Sequence, residues 1–201
     1  MTVTVAAVHT APVSLEARRD LLVTGGRGTH ARSDFLMVRV VTSEGVEGYG
    51  EVSATPLWSG EDGVSAHHFI VSVLAPLLVG QPLAVPQLED AMDRALAWNP
   101  FTKAGVAMAL WDARARTDGV PLVDLFGGAI RREVPVKMSL SGNRGRLERT
   151  IAAVQALGFR AYKVKVGLGL PGDLERVRQA RALVGDDFLG TDANGGWTVD
   201  D

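Results

Sequence analysis

Residues 159–194 read FRAYKVKVGLGLPGDLERVRQARALVGDDFLGTDAN, and the fold class follows from the pattern in this stretch. Phe159 to Val166 is rich in aromatic and β-branched residues, which is typical of a strand. Asp173 to Val184 carries apolar residues at helical spacing, and Phe188 to Asn194 has the pattern of another strand. Short connections between such units indicate a parallel sheet with right-handed crossovers.

The residues before this stretch repeat the alternation. Val134 to Leu140 is predicted as a strand, and Arg146 to Leu157 is predicted as an amphipathic helix that Gly158 ends. Three strand–helix units of this kind begin either a doubly wound sheet or a (β/α)8 barrel.

Residues 1–130 show a different pattern, with strands first and helices after them. The predicted elements are three strands (Thr2–Thr10, Asp34–Thr42, Val46–Val52) and three helices (Ser65–Val79, Val85–Ala97, Thr102–Thr117). The glycine density of Thr24–His30 predicts a mobile loop. We therefore expect two domains, an α+β domain over 1–130 and the strand–helix units over 131–201.

Composition excludes several classes of protein. The 201 residues include 21 Lys+Arg, 23 Asp+Glu and no cysteine, and 46% are hydrophobic. The near-neutral charge argues against nucleic-acid and anionic-membrane partners. Without cysteine there is no disulfide framework and no sulfur-ligated metal. The N-terminus has no secretory pattern and no apolar stretch is long enough to span a bilayer, so we expect a cytoplasmic protein without a membrane segment.

Lys163 and Lys165 are the most informative pair for function. Residues two apart on a strand point to the same face, and a face of a parallel sheet is normally buried and apolar. One interpretation is an edge strand with two solvated lysines. The other is a polar cavity, in which two ammonium groups about 7 Å apart repel by roughly 2 kcal/mol at a dielectric near 20. That repulsion favours a neutral lysine, which can act as a general base.

Asp192 ends the third strand of the quoted region, and Asn194 has the same parity. Barrel enzymes build their active sites at the carboxyl ends of the strands. Alone, Asp192 would most often be an ordinary strand-end or helix-cap aspartate. Next to two inward lysines it is predicted to be a metal ligand, and its oxygen atoms favour Mg²⁺ or Mn²⁺ over zinc.

These motifs resemble the enolase superfamily. The shared features are a strand-rich first domain, Gly50-Glu51, the helices, YKVKVG (162–167) and DANGGW (192–197), and the order resembles the muconate-lactonizing-enzyme subgroup in particular. The resemblance implies an α+β capping domain followed by the first part of a modified (β/α)8 barrel. It also implies that Lys165 transfers the proton, that Lys163 contacts a substrate carboxylate, and that Asp192 is the first of three metal ligands.

The resemblance extends to two weaker assignments and reveals one departure. Asn194 matches an asparagine near the metal, and we expect it to contact substrate. The loop containing His30 matches a capping-domain loop that closes over substrate, so His30 is either a substrate contact or a solvated loop residue. Ser139, at the end of the first barrel strand, is a substrate contact by position. The departure is that the family takes its other ligands and a second lysine from later strands. We therefore expect either a fragment of a longer protein, inactive on its own, or an active site that another chain completes.

The resulting hypothesis is a divalent-metal-dependent enzyme that removes the proton alpha to a carboxylate through an enediolate intermediate. The overall reaction would be cycloisomerisation, racemisation or epimerisation of a small carboxylate substrate, in a homo-oligomer. Two alternatives stay open at this point. One is an acid-sugar dehydratase of the same superfamily, and the other is a non-catalytic capping or assembly module.

Overall fold

A computed structural model describes residues 2–201, and these fall into two compact units. The first unit consists of residues 2–15 and 34–130, and the second consists of residues 16–33 and 131–201. Each unit has its own cluster of buried apolar side chains. No helix within the described range is long and apolar enough to cross a membrane.

A three-stranded sheet forms one layer of the first unit. Its strands, in the spatial order β1-β4-β5, are β1 (Val5–Glu16), β4 (Arg32–Thr42) and β5 (Glu47–Val52). β4 and β5 are antiparallel, from the pair Leu36–Val52 to the pair Val41–Glu47. Leu36, Val38 and Val40 alternate with more exposed residues along β4 and enter the core, as the period of two requires.

Helices cover this sheet. They are α1 (Pro56–Ser59), α2 (Gly63–Phe69), a π-helical turn (Ile70–Leu74), α3 (Ala75–Leu78), α4 (Val85–Ala95), α5 (Pro100–Asp118) and α6 (Leu122–Leu125). α5 packs closely on β5 because glycines lie at the contact. A Cβ on Gly50 would be 2.0 Å from the Gly105 carbonyl oxygen, and a Cβ on Gly48 would be 2.2 Å from that of Ala109. The predicted strands-then-helices order of this domain is confirmed.

The second unit contains a parallel sheet with helical crossovers. Its elements are a 3₁₀ turn (Arg19–Leu21), β2 (Val23–Gly25), β3 (Gly28–His30), β6 (Met138–Leu140), α7 (Arg144–Gln155), β7 (Ala161–Lys165), α8 (Leu170–Val184) and β8 (Phe188–Asp192). The parallel order is β6-β7-β8. Tyr162 and Val164 are fully buried among residues of the sheet, α7 and α8, so Lys163 and Lys165 occupy the other face of β7.

Several boundaries and one predicted loop differ from the sequence-based expectation. β6 begins only at Met138, where pairing with β7 begins. β1 continues to Glu16, beyond the predicted end at Thr10. α8 begins at Leu170, with Pro171 in its first turn, so Asp173 lies inside the helix. The glycine-rich segment is a hairpin of β2 and β3 rather than an irregular loop, and the Thr24 and Thr29 hydroxyls are 2.8 Å apart across it.

The segment 16–33 belongs to the second unit because its backbone is bonded there. The Thr24 amide donates to the Ser141 hydroxyl at 3.0 Å, and the Arg146 guanidinium donates to the Leu22 carbonyl. The compact units are therefore not separated by a single boundary between residues 130 and 131. The division into domains 1–130 and 131–201 stays a prediction.

Candidate active site

Two lysines and one carboxylate meet at the carboxyl ends of β7 and β8. Strand register pairs Lys165 with Asp192. Two residues earlier on β7, Lys163 is paired with Ser139 of β6 and Gly190 of β8. The Asp192 Oδ2 atom accepts hydrogen bonds from Lys163 Nζ at 2.8 Å and from Lys165 Nζ at 2.9 Å. The three side chains are 15–25% exposed. The structure thus brings together all three residues that the sequence predicted as the centre of the site.

Asn194 completes this cluster through the turn that follows β8. Its backbone has a φ of 48°, in the left-handed region, and the next residue, Gly195, has a φ of 69°. This turn directs the Asn194 side-chain oxygen back to Lys165 Nζ, at 2.5 Å, while the Asn194 amide donates to Asp192 Oδ1 at 2.9 Å. Lys165 Nζ is therefore held by two oxygen atoms from the loop end of β8.

The charge arrangement differs from the expected pair of repelling ammonium groups. The hydrogen bonds from Lys163 and Lys165 hold the pKa of the Asp192 carboxyl well below its usual range. Burial opposes this shift, whereas the Asn194 amide and the charge of Lys165 add to it. The carboxylate lies between the two cations and offsets their repulsion.

The hairpin tip lies beside Lys165 and Asn194. A Cβ built on Gly25 would be 3.5 Å from both the Lys165 Cδ and the Asn194 Oδ1 atoms. A Cβ on Gly26 would be 2.8 Å from the Gly167 carbonyl oxygen, so any larger residue would displace backbone there. Arg27 Nε donates to the Asn194 carbonyl at 2.9 Å. The loop of residues 24–30 therefore borders the cluster.

Ser139 and His30, the predicted substrate contacts outside the cluster, lie in different places. Ser139 is half-buried and sits on the Lys163 face of the sheet by register. His30 is exposed at the end of β3, paired in register with Val23, and its Nε2 atom is 2.7 Å from the Ser33 hydroxyl. The structure does not add His30 to the lysine–carboxylate cluster, and substrate contact by either residue stays a prediction.

Asp173 and Ser141 were not predicted from the sequence as residues of the site. Asp173 is 1% exposed, and burial acts to raise its pKa, but hydrogen bonds from Trp197, Arg176 and the backbone of Gly167 and Leu168 lower that pKa overall. A signal was present, because an acidic residue in the first turn after a glycine-rich connection is suited to bind free backbone amides. Ser141 anchors the hairpin segment and has no comparable sequence signal.

The cluster contains one side chain that is suited to bind a divalent cation. The Asp192 carboxylate is the hard oxygen donor that Mg²⁺ and Mn²⁺ prefer, and the Asn194 amide oxygen lies beside it. Residues 2–201 contain no group of three or more His, Cys, Asp or Glu side chains that could hold a metal ion. These residues therefore suit part of a metal site and do not complete one.

Two family models match the chain. Residues 5–127 match the mandelate racemase / muconate lactonizing enzyme N-terminal domain, and residues 146–201 match the enolase C-terminal domain-like model. A chloromuconate cycloisomerase of Cupriavidus necator is 32% identical over 198 residues, which is 95% of this chain and 53% of the relative. The chain thus spans about half the length of the curated relatives it matches.

Solved structures agree with these matches. The N-succinyl Arg/Lys racemase of Bacillus cereus superposes with a TM-score of 0.89 at 30% identity, covering 98% of this chain and 53% of that one. A dipeptide epimerase of Enterococcus faecalis, in complex with Mg and the dipeptide L-Leu-L-Tyr, superposes with a TM-score of 0.87 at 27% identity, covering 98% and 55%. The predicted fold class, an α+β domain followed by part of a (β/α)8 barrel, is confirmed.

Proposed function

The chain belongs to the mandelate racemase / muconate lactonizing enzyme family of the enolase superfamily, and from this membership we propose that it carries part of the active site of an enzyme. Its relatives include racemases, epimerases and cycloisomerases, and also a dehydratase. The proposed first step is removal of the proton alpha to a substrate carboxylate. The observation that supports it is the cluster of Lys163, Lys165, Asp192 and Asn194 at adjacent strand ends.

Lys165 is the proton-transferring base in this proposal. Hydrogen bonds to Asp192 and Asn194 fix the position of its amine. A general base needs such a fixed position, because it must lie within hydrogen-bonding distance of the proton that it removes. Lys163, one step earlier on the same face of β7, binds a carboxylate oxygen of the substrate. Ser139 lies in register with Lys163 and contacts the same substrate, and His30 contacts it from the hairpin segment.

Asp192 is the proposed ligand of Mg²⁺ or Mn²⁺, with Asn194 beside it. A cation held there would supply positive charge that stabilises the enediolate. In this proposal the remaining ligands and a second lysine come from polypeptide outside residues 1–201, since the chain spans about half the length of its relatives. The dipeptide epimerase structure, which contains Mg, supports the choice of metal.

The relatives indicate a class of substrate and a class of reaction, but not one particular substrate or reaction. We propose a small carboxylate substrate and a cycloisomerase, racemase or epimerase reaction, because the relatives carry these names. The same first step would serve a dehydratase, and the products distinguish the outcomes. Cytoplasmic location and assembly into a homo-oligomer belong to the same proposal, as does inactivity of the 201 residues alone.

Deuterium exchange tests this function. The protein is expressed from its complete reading frame and incubated in deuterium oxide with Mg²⁺ and N-succinyl-L-arginine, L-Leu-L-Tyr or 2-chloromuconate. Proton NMR follows deuterium incorporation alpha to the carboxylate of substrate and product. We expect Lys165→Ala and Lys165→Arg to lower the rate by about 10²–10⁴-fold, since neither side chain can accept the proton at working pH.

A matched control and a metal titration complete the test. Lys137 is an exposed lysine outside the cluster, and Lys137→Ala should keep the wild-type rate. Calorimetry should detect Mg²⁺ binding to the wild type and a large loss of affinity for Asp192→Ala. Persistent exchange in Lys165→Ala would contradict the assignment of the base. A wild type that binds no Mg²⁺ and exchanges no probe would favour the non-catalytic module.

A further inference from the structure

Asp173 collects hydrogen bonds from two different loops. It lies in the first turn of α8 and is 1% exposed. Its carboxylate accepts from the amides of Gly167 at 2.7 Å, Leu168 at 3.1 Å and Gly169 at 3.3 Å, from Trp197 Nε1 at 2.9 Å and from an Arg176 terminal nitrogen at 2.6 Å. Residues 167–169 follow β7, whereas Trp197 lies in the loop that follows β8.

Arg176 extends this connection to a third loop. It is paired with Asp173 and is itself 16% exposed in its side chain. Its Nε atom donates to the Gly142 carbonyl at 3.2 Å, in the loop after β6, and its NH1 atom donates to the Lys165 carbonyl at 3.4 Å. One ion pair therefore joins the connections that follow all three parallel strands.

The loops that Asp173 joins also touch each other through backbone atoms. A Cβ on Gly167 would be 2.4 Å from the Ala193 carbonyl oxygen, and a Cβ on Gly196 would be 2.5 Å from the Gly167 carbonyl oxygen. Gly26, at the hairpin tip, approaches the same two carbonyls. These backbone contacts between the loops after β7 and β8 depend on the distance between the two loops, because atoms packed this closely have no room for displacement.

We propose that Asp173, paired with Arg176, is a positioning residue that holds the loops after β6, β7 and β8 together and so fixes Lys165 relative to Asp192. This proposal rests on the proposed function, in which those two residues act on one substrate. Lys165 is two residues before the Gly167 amide, and Asp192 is five residues before Trp197, so each is tethered close to its loop. A displacement of about 1 Å in such a site can lower the rate by about a hundredfold.

A purely local role for Asp173 would be the capping of its own helix. The amides of residues 167–169 satisfy that role, because they lie in the connection immediately before α8. The bond from Trp197 does not belong to it, since Trp197 lies in the connection after β8. The Trp197 bond is thus the contact that separates a positioning role from a capping role.

The test removes that single bond. Trp197→Phe keeps an aromatic ring, although a smaller one, at a position that is 36% exposed, and it deletes the N–H that donates to Asp173. The matched control is Trp111→Phe in the first unit, which deletes a 3.0 Å bond from an indole to the Glu89 carboxylate. Both variants lose one tryptophan–carboxylate hydrogen bond, so a general loss of stability affects them alike.

Two readouts are measured on the protein expressed from its complete reading frame. Amide hydrogen exchange, followed by mass spectrometry, should become faster at residues 166–169 and 193–197 in Trp197→Phe and stay at wild-type rates there in Trp111→Phe. With whichever probe the wild type turns over, kcat should fall about tenfold in Trp197→Phe while KM changes less than about threefold. Asp173→Asn should reproduce both effects more strongly.

The outcomes separate this proposal from the proposed function. Unchanged amide exchange in both loops of Trp197→Phe would overturn the positioning role, and so would faster exchange with a wild-type kcat. If the wild type binds no Mg²⁺ and turns over none of the probes, the proposed function fails. The amide exchange of the two loops then decides alone whether Asp173 couples them.

Discussion

At the scale of single residues, Asp192 determines the character of the site. Two lysines on one strand face suggest mutual repulsion, yet the structure places one carboxylate oxygen within 2.9 Å of both amines. Asp192 can do this because strand register puts it directly opposite Lys165. The ionised carboxylate pairs with two positive charges on a half-buried face of the sheet. Without this pairing, burial of the two charges would carry a large desolvation cost.

Gly26 provides a prediction at this scale. We expect Gly26→Ala to displace the hairpin tip, because its Cβ would lie 2.8 Å from the Gly167 carbonyl oxygen and backbone must move to make room. The measurement is amide hydrogen exchange of residues 23–30, which should become faster. Gly172→Ala is the control: a Cβ there meets nothing within 4 Å, and alanine in a helix should stabilise by about 0.5–1 kcal/mol. Unchanged exchange in Gly26→Ala would refute the close contact.

The lowered pKa of Asp173 predicts that the stability of the protein depends on pH in the acid range. Its pKa is lowered in the folded state, so its contribution is fully present above the unfolded value of about 3.9 and is lost as pH falls through the lower folded value. The difference in melting temperature between wild type and Asp173→Asn should therefore be constant from about pH 7 to 5 and narrow below about pH 4. Asp186→Asn, at an exposed site, controls for the loss of one negative charge. A difference that widens in acid would contradict the assignment.

At the scale of elements, the long helix α5 depends on a residue far from it in sequence. Its N-cap residue, Asn99, has a φ of 51° and makes no side-chain capping bond. Glu61 replaces that cap: its carboxylate accepts from the amides of Phe101 at 3.0 Å and Thr102 at 2.9 Å, and from the Thr102 hydroxyl at 2.7 Å. Negative charge at a helix N-terminus also interacts favourably with the helix dipole.

Glu61→Gln should therefore destabilise the first unit. Glu61 is 4% exposed, and the amide group of glutamine would turn a donor towards one of the helix amides, leaving it without an acceptor. We expect a loss of about 1–3 kcal/mol in the free energy of unfolding, measured by denaturant titration. Glu89→Gln is the comparison, because Glu89 is half-buried and accepts one bond, from Trp111. Equal stability of Glu61→Gln and wild type would rule out the cap.

At the scale of the whole molecule, the parallel sheet of the second unit has two unpaired edges. β6 and β8 are the outer strands of the parallel sheet, and each pairs on one side only. Apolar side chains near them are strongly exposed: Val134 is 71% exposed, Val136 63%, Leu157 74% and Phe188 63%. Unpaired strand edges and apolar surface of this kind favour association.

We accordingly expect residues 1–201, expressed alone, to self-associate at micromolar concentration in sedimentation velocity experiments. Phe188→Lys should weaken this association, because it places a charge on the outer strand β8. Val64→Lys is the matched variant in the first unit, where Val64 is 80% exposed, and it should leave the association unchanged. A monomer with a sharp cooperative melt would contradict the expectation.

Much of the fold was predictable because its signals are local. The period of two along 161–165 places Lys163 and Lys165 on one face and Tyr162 and Val164 on the other, and this parity is confirmed. Helical periodicity located α5, α7 and α8 to within a few residues, and the strand-end position of Asp192 followed from element order. Each of these inferences needs only neighbouring residues, since backbone geometry sets the two periods.

Partners across the chain were not predictable in the same way. Glu61 finds Phe101 and Thr102, Asp173 finds Trp197, and the glycine-rich segment becomes a hairpin held by Ser141. Such pairs arise when packing brings distant residues to hydrogen-bonding distance. A buried polar group then forms its hydrogen bonds with the groups that packing has placed next to it. Periodicity carries no information about that choice. The local pattern therefore specifies which face each residue occupies, and packing of distant segments specifies what it meets.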